Sequence, residues 1–359
     1  MEDVYRRLAS RLDQFPNGFP ATESGVELKI LRKIFTPEEA EMTLKIRPLP
    51  ETAEQIAERL GKPLEEMESI LDDMVQKGHI ATTKMEGRRV YMLFPFLLGV
   101  WEFQLDRLDK ELTDLMEEYF PTLTNQSLGK HEPGFFRVIP VNAQIKGKHE
   151  VLLYEDVRKM LEKAKSFQVT ECICRKERAL QGKPCTHSID VCLGFSKSED
   201  AYDKHVTGKV ISREEAFQII EKAEEEGLVH QTYNTQSGHF FVCNCCSCCC
   251  GILRAVREFN APYMMAKSNF VAVIDQETCE ACGTCFEQRC PMNAIANDNG
   301  TYHVQPERCI GCGVCTTTCP TDSISLVRKA QQQQDTPPAN LLDWYMKRAA
   351  SRGITMKID

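Results

Sequence analysis

The cysteines constrain this chain more than any other feature. Eighteen occur in 359 residues and none is isolated: ten fall within 121–267 and eight within 268–328. The ten divide into Cys172, Cys174, Cys185 and Cys192, in TECICRKERALQGKPCTHSIDVCLGF, and Cys243, Cys245, Cys246, Cys248, Cys249 and Cys250, in FFVCNCCSCCCGILRAVREF. A buried free thiol is an ordinary core residue, but six in eight residues are too dense for a core to absorb them all. Disulfides are a poor account as well. The cysteines are clustered, the chain is long, and its start, MEDVYRRLASRLDQF, has no apolar core of the export-signal kind. Clustered thiols in a reducing compartment read as metal ligands. No apolar run reaches the roughly 18 residues of a spanning helix, so the expected setting is the cytoplasm, without a membrane span. The formal net charge of -8 argues against a nucleic-acid partner.

Residues 268–328 contain an internal repeat. VAVIDQETCEACGTCFEQRCPMNAI is followed by YHVQPERCIGCGVCTTTCPTDSI, so Cys279, Cys282 and Cys285 recur as Cys309, Cys312 and Cys315, 30 residues on. Cys290-Pro291 recurs as Cys319-Pro320, one residue out of step. Each half reads as a strand, a cysteine loop, a short helix after the proline and a returning strand. Three cysteines at two-residue intervals on a tight loop can set three thiolates on three corners of one iron–sulfur cube. Gly311 and Gly313 let the backbone approach the inorganic sulfides. The fourth cysteine points away towards a second cube, and the proline after it fixes φ for a helix start.

The run Cys309-x-x-Cys312-x-x-Cys315-x-x-x-Cys319-Pro320 resembles the bacterial-type dicluster ferredoxins, over roughly residues 270–328. The resemblance implies two [4Fe–4S] clusters with crossed ligation. Cys279, Cys282, Cys285 and Cys319 would hold one, and Cys309, Cys312, Cys315 and Cys290 the other. The first copy departs from the pattern by one extra residue before Cys290, which lengthens a loop without removing the ligand. Zinc also accepts four thiolates, but its sites use pairs of CxxC rather than this run. The acidic residues Asp275, Glu277, Glu280, Glu287, Asp298, Glu307 and Asp322 outnumber Arg289 and Arg308 there, which suits either docking to a basic redox partner or an ordinary solvated surface.

For the central cysteines the residues alone imply one or two further iron–sulfur clusters. In extended chain a CxC pair points both thiols one way, so Cys172 with Cys174, and Cys243 with Cys245, could each give two ligands to one cluster. Adjacent cysteines point apart, which sends Cys246, Cys249 or Cys250 towards another cluster or the core. Ser212 to Glu215 is a capping box, opening a helix whose apolar face, Ala216, Phe217, Ile219, Ile220 and Ala223, is expected to pack the two groups together. His187, His205, His230 and His239 lie near enough in sequence for one to replace a cysteine on iron.

The first 120 residues carry no cysteine. Helices over Thr52–Gly61 and Leu64–Lys77, with a hairpin through Met85-Glu86-Gly87, resemble a winged helix-turn-helix. Its second helix displays Glu65, Glu66, Glu68, Asp72 and Asp73, which phosphate would repel. After QQQQDTPP, a polar linker expected to be flexible, Asn340 caps a last amphipathic helix. The order winged helix, CNCCSCCC group, dicluster segment resembles a family of ferredoxin-domain proteins of anaerobic bacteria and archaea, named for their clusters rather than for a substrate.

The expected protein is multidomain and α+β. It has a winged-helix-like module at 1–120, a central cysteine-rich iron–sulfur domain at 121–267, a dicluster domain at 268–328, and a linker with a C-terminal helix at 329–359. Its expected function is electron transfer between a redox partner and the two C-terminal clusters, as a carrier or a subunit of an oxidoreductase complex rather than a stand-alone enzyme. Two alternatives stay open: a reductase whose central cluster binds substrate, and a redox-sensing transcription factor. No nucleotide fingerprint occurs.

Overall fold

The computed structural model describes residues 3–141, 152–203 and 208–355. Helix and strand are mixed throughout, as α+β requires. Five helices lead: α1 (Val4–Asp13), α2 (Val26–Ile34), α3 (Pro37–Thr43), α4 (Ala53–Leu60) and α5 (Leu64–Gln76). Thr36 with Glu39, and Thr52 with Gln55, close reciprocal capping boxes at the starts of α3 and α4. Met67, Leu71 and Met74 of α5 form one helical face, buried with Ile56 and Ala57 of α4. The strands β1 (Ala81–Met85) and β2 (Arg88–Met92) pair antiparallel, Met85 opposite Arg88, and α6 (Lys110–Leu123) follows. This is the helix, helix, hairpin, helix order that the sequence predicts.

The middle of the chain builds one antiparallel sheet. Its strands are β3 (Phe136–Ile139), β4 (Ser166–Glu171), β5 (Asp190–Ser196), β6 (Lys209–Ile211), β7 (Val229–Tyr233) and β8 (Phe241–Cys245), in the order β3-β7-β8-β5-β4-β6. The helices α7 (Val157–Glu162), α8 (Ile173–Leu180), α9 (Arg213–Glu225) and α10 (Gly251–Glu258) accompany it. Ser212 and Glu215 form the expected capping box of α9. Ala216 and Ile220 of α9 pack on the sheet, while Ala223 reaches Cys172, Cys246 and Cys249, so the helix does join the two cysteine groups.

The repeat contributes β9 (Phe270–Ile274), β10 (Ile295–Asp298), β11 (Thr301–Val304) and β12 (Ile324–Arg328). The first strand of one copy pairs with the last of the other, β9 with β12, and β10 pairs with β11. The helix expected after each proline is not formed. A helical turn, Cys285–Arg289, instead precedes Cys290, and Asn293 and Asp322 take left-handed φ values of 50° that turn the chain directly into β10 and β12. Asparagine and aspartate tolerate that region because their short polar side chains can bond locally.

One buried cluster takes in residues from every part of the chain, among them Leu8, Phe120, Val229, Cys312 and Trp344. The last helix, α11 (Leu341–Arg352), is locked down by Arg348, whose guanidinium donates to the carbonyls of Pro16, Ser127, Leu128, His131 and Pro133. The polar stretch before it is not the free linker that composition suggests. The Gln236 N–H donates to the Pro338 carbonyl at 2.9 Å and the Asp335 N–H to the Asn269 side chain at 2.8 Å. Glu155, 1% exposed, receives Arg328 and Asn269 and so ties the repeat to the middle of the chain.

Candidate metal centres

The repeat sorts its eight cysteines into two sets. A cavity is lined by Cys290, Cys309, Cys312 and Cys315, with Pro291, Ile295 and Gly313 among its walls. Electrostatically, Cys285 is affected by Cys282, Cys279 and Cys319, whereas Cys315 is affected by Cys312, Cys309 and Cys290 and only then by Cys285. Each Cys-Pro cysteine therefore sits with the opposite loop. The Ala294 N–H donates to Cys290 Sγ at 3.1 Å. Cys319 is held below the ordinary thiol range, against the desolvation that raises it, by the N–H groups of Ile324 and Thr321.

The two sets differ in exposure. Cys282 is exposed, while Cys312 and Cys315 are buried, and burial pushes the Cys312 thiol up to about 12. A buried sulfur in that state needs a cation to become a thiolate, and a cavity walled by four cysteines fits an iron–sulfur cluster. Gly311 and Gly313 have φ of +63° and +78°. Their reason includes packing: a Cβ on Gly311 would lie 2.3 Å from Ser268 Oγ and 2.4 Å from the Phe270 carbonyl oxygen, at the start of β9.

In the centre the sequence grouping is rearranged. Six thiols close a ring in which each interacts with two neighbours, in the order Cys172, Cys174, Cys250, Cys245, Cys243, Cys192 and back to Cys172. Interaction with the neighbouring sulfurs shifts Cys172, Cys250 and Cys243 towards the thiolate. Cys243 is lowered to about 6 in this way. Cys174, Cys245 and Cys192 are raised. Cys243 and Cys245 lie in β8, extended as expected. The other CxC is not extended: Cys172 caps α8 and Cys174 lies in its first turn, so that pair meets through helix-start geometry.

Cys185 leaves its sequence neighbours and joins Cys246, Cys248 and Cys249, all four sulfurs lying within 4.8 Å of one another. Cys185 Sγ is 3.5 Å from Cys248 Sγ and 3.8 Å from Cys246 Sγ, and Cys249 Sγ is 3.7 Å from Cys248 Sγ. Neighbouring cysteines diverge as expected at Cys245–Cys246 and at Cys249–Cys250, but Cys248 and Cys249 stay together because residues 247–249 form a turn, closed by a Cys250 N–H bond to the Cys246 carbonyl. Of the four histidines considered, His205 lies outside the described residues. His230 faces Asn244 and Glu224, and His239 faces Thr232. His187 alone of these touches a thiol, its Nδ1 lying 3.1 Å from Cys185 Sγ.

Three further residues were not legible as site components. Arg175, 3% exposed, carries its charge beside Cys172, Cys246 and Cys245. Glu102 and Glu177 are both pushed up to about 8 by desolvation, Glu102 also by Cys243. In sequence all three look like ordinary surface charges, since nothing in their spacing announces burial.

Residues 272–320 match the 4Fe–4S dicluster domain family. The pyruvate synthase subunit PorD of Methanocaldococcus jannaschii is 36% identical over 61 residues, which are 17% of this chain and 70% of PorD. This chain belongs to the 4Fe–4S dicluster ferredoxin family. The electron transport protein HydN of Escherichia coli K12 is 47% identical over 38 residues, 11% of this chain and 22% of HydN. An uncharacterized ferredoxin of M. jannaschii is 28% identical over 97 residues, 25% of this chain and 53% of that protein. Each likeness thus covers a quarter of this dicluster protein or less. No helix among the described residues is long and apolar enough to cross a membrane.

Proposed function

We propose that the chain is an iron–sulfur electron carrier acting with, or as a subunit of, a larger oxidoreductase complex. Bound [4Fe–4S] clusters supply reversible one-electron storage. The protein's part is to hold them, shield one, and present the other. Cys279, Cys282, Cys285 and Cys319 would ligate the outer cluster, and Cys290, Cys309, Cys312 and Cys315 the inner one. The observation that carries this reading is the cavity in which Cys290 joins the three cysteines of the other loop.

The central ten cysteines would hold one or two further clusters, with the six-thiol ring the first candidate. PorD is by its name a subunit of pyruvate synthase and HydN an electron transport protein, and a redox-enzyme partner for this chain agrees with both. Asp275, Glu277, Glu280 and Glu287 are exposed around the outer site and would meet a basic patch. The setting proposed is the cytoplasm of an anaerobe.

The divisions at 120, 267 and 328 are proposed as functional ones, laid over a shared core. Residues 51–92 are read as a winged helix used for docking rather than for DNA. Glu65, Glu66, Glu68 and Asp73 are exposed on α5, and the hairpin cations Lys84 and Arg89 are already paired with Asp203. Affinity for duplex DNA should not exceed the non-specific range of roughly 10⁻⁴ to 10⁻⁶ M; a nanomolar site from a genomic selection would restore the regulator reading.

A second reading has one observation in its favour. Glu102, pushed up to about 8 by desolvation and by Cys243 of the ring, is a proton donor of the kind a reductase needs. The deciding experiment is anaerobic purification of the full chain with whatever copurifies, followed by iron and sulfide analysis and redox titration. A carrier should bind more than the roughly 8 irons of two cubanes, reduce reversibly, and bring an oxidoreductase with it. Saturation at 8 irons with all ten central thiols titratable would remove the central clusters.

A further inference from the structure

We infer that Cys185, Cys246, Cys248 and Cys249 bind one thiophilic divalent ion, zinc or iron, in a tetrahedral tetrathiolate site that contains no inorganic sulfide. This rests on the reading of the central cysteines as metal ligands and separates them into two kinds of site.

The argument is the spacing of the sulfurs. Zinc–sulfur bonds are about 2.3 Å, so four thiolates around one tetrahedral ion stand about 3.8 Å apart. Three of the separations are 3.5, 3.7 and 3.8 Å, and all four sulfurs fall within 4.8 Å of one another. A cubane places each thiolate on a different iron, at a different corner, which forces the four sulfurs further apart than around one shared ion. The same chain supplies the comparison. Among the described residues no other set of three or more ligating groups comes this close together, including the eight cysteines of the dicluster segment.

The surroundings fit a compact anionic centre. Four thiolates on a divalent ion carry two negative charges. The buried Arg175 guanidinium carries its charge beside Cys246 and is fixed by the carbonyls of Ser188 at 2.6 Å and Asn244 at 3.2 Å. His187 can donate from Nδ1 to Cys185 Sγ, a second outer partner of the kind that orients ligands and moderates their charge. Val191, Ala223 and Leu228 close the inner side around Cys246 and Cys249, whereas Cys248 is exposed. The ion would clip the loop after α8 to the turn after β8, fixing the sulfur-rich segment from which Cys243, Cys245 and Cys250 reach the ring. That assigns the site a structural role, with four protein ligands and no open position.

The test uses the full chain, purified without oxygen, with iron, zinc and acid-labile sulfide counted per chain. Cys248→Ser should lower the summed iron and zinc by one per chain and leave sulfide unchanged. Cys282→Ser, the control, should lose about four irons together with their sulfides. If the lost ion is iron, the wild type should also show a high-spin mononuclear Mössbauer signal that the variant lacks. If it is zinc, zinc-edge absorption should show four sulfurs at about 2.3 Å. Loss of sulfide together with several irons in Cys248→Ser, or no loss of metal, would overturn the inference. Should that variant fold poorly, Cys185→Ser and the wild-type spectra decide in the same way. A chain with no acid-labile sulfide would instead refute the electron-carrier reading and leave the single-ion site standing.

Discussion

The two copies of the C-terminal repeat have nearly the same sequence pattern and opposite surroundings. Around Cys279, Cys282 and Cys285 the loop is open: Glu280, Ala281 and Cys282 are exposed. Around Cys309, Cys312 and Cys315 residues 311 to 316 are all buried, and the Val141 N–H donates to the Cys312 carbonyl at 3.0 Å. The difference is visible in one pair of residues. Ala281 and Gly311 occupy equivalent positions with φ of +53° and +63°. In the open loop a methyl group is accommodated at the cost of the left-handed conformation. In the closed loop the backbone of β9 leaves no space for one. A repeat sequence therefore fixes local loop geometry, while the rest of the fold leaves one copy open and encloses the other.

Four expectations test this contrast, the largest first. Cys319→Ala combined with Cys282→Ala should remove about 4 of the roughly 8 dicluster irons, because both changes fall on the outer set. Cys319→Ala combined with Cys312→Ala should remove all of them. Electron paramagnetic resonance of the reduced full chain reads the difference, and self-contained halves would give the opposite pattern.

Next is the tie between the inner half and the middle of the chain. Arg328→Ala leaves Glu155 buried without its cation, and removing one partner of such a pair costs about 3–5 kcal/mol. Equilibrium denaturation should show that loss, and an effect under about 1 kcal/mol would mean that the two parts are not mechanically joined. The third expectation compares the equivalent loop positions. Gly311→Ala should destabilise by about 1–3 kcal/mol through overpacking and backbone strain. Ala281→Gly should stay within about 1 kcal/mol, since relief of the left-handed strain is offset by lost chain stiffness. Equal effects at both positions would erase the contrast.

The smallest effect concerns potential. Arg289 lies close enough to Cys315 and Cys312 for electrostatic interaction, and is anchored by the carbonyls of Glu224 and Glu225 at 3.2 Å. Arg289→Ala should lower the potential of the inner cluster and leave that of the outer one in place, because a nearby cation favours the reduced, more negative state. A redox titration followed by paramagnetic resonance would show it, and a shift of both clusters would contradict the spatial assignment.

The sequence by itself determined what local spacing can determine. The x2 intervals of the repeat, the capping box at Ser212, and the helical faces of α5 and α9 all follow from chain geometry over a few residues. So did the likeness to dicluster ferredoxins. Only the tertiary structure decided which central cysteines belong together. Cys185 and Cys246 are 61 residues apart and meet, whereas Cys246 and Cys245 are adjacent and face different groups. The physical reason is that a cysteine's partner depends on where its backbone turns and what lies across the fold. The turn at 247–249 and the start of α8 redirect the sulfurs in ways that composition does not encode. Arg175 and the docked α11 were hidden for the same reason: burial of a charge is a property of its neighbours, and those neighbours come from distant parts of the chain.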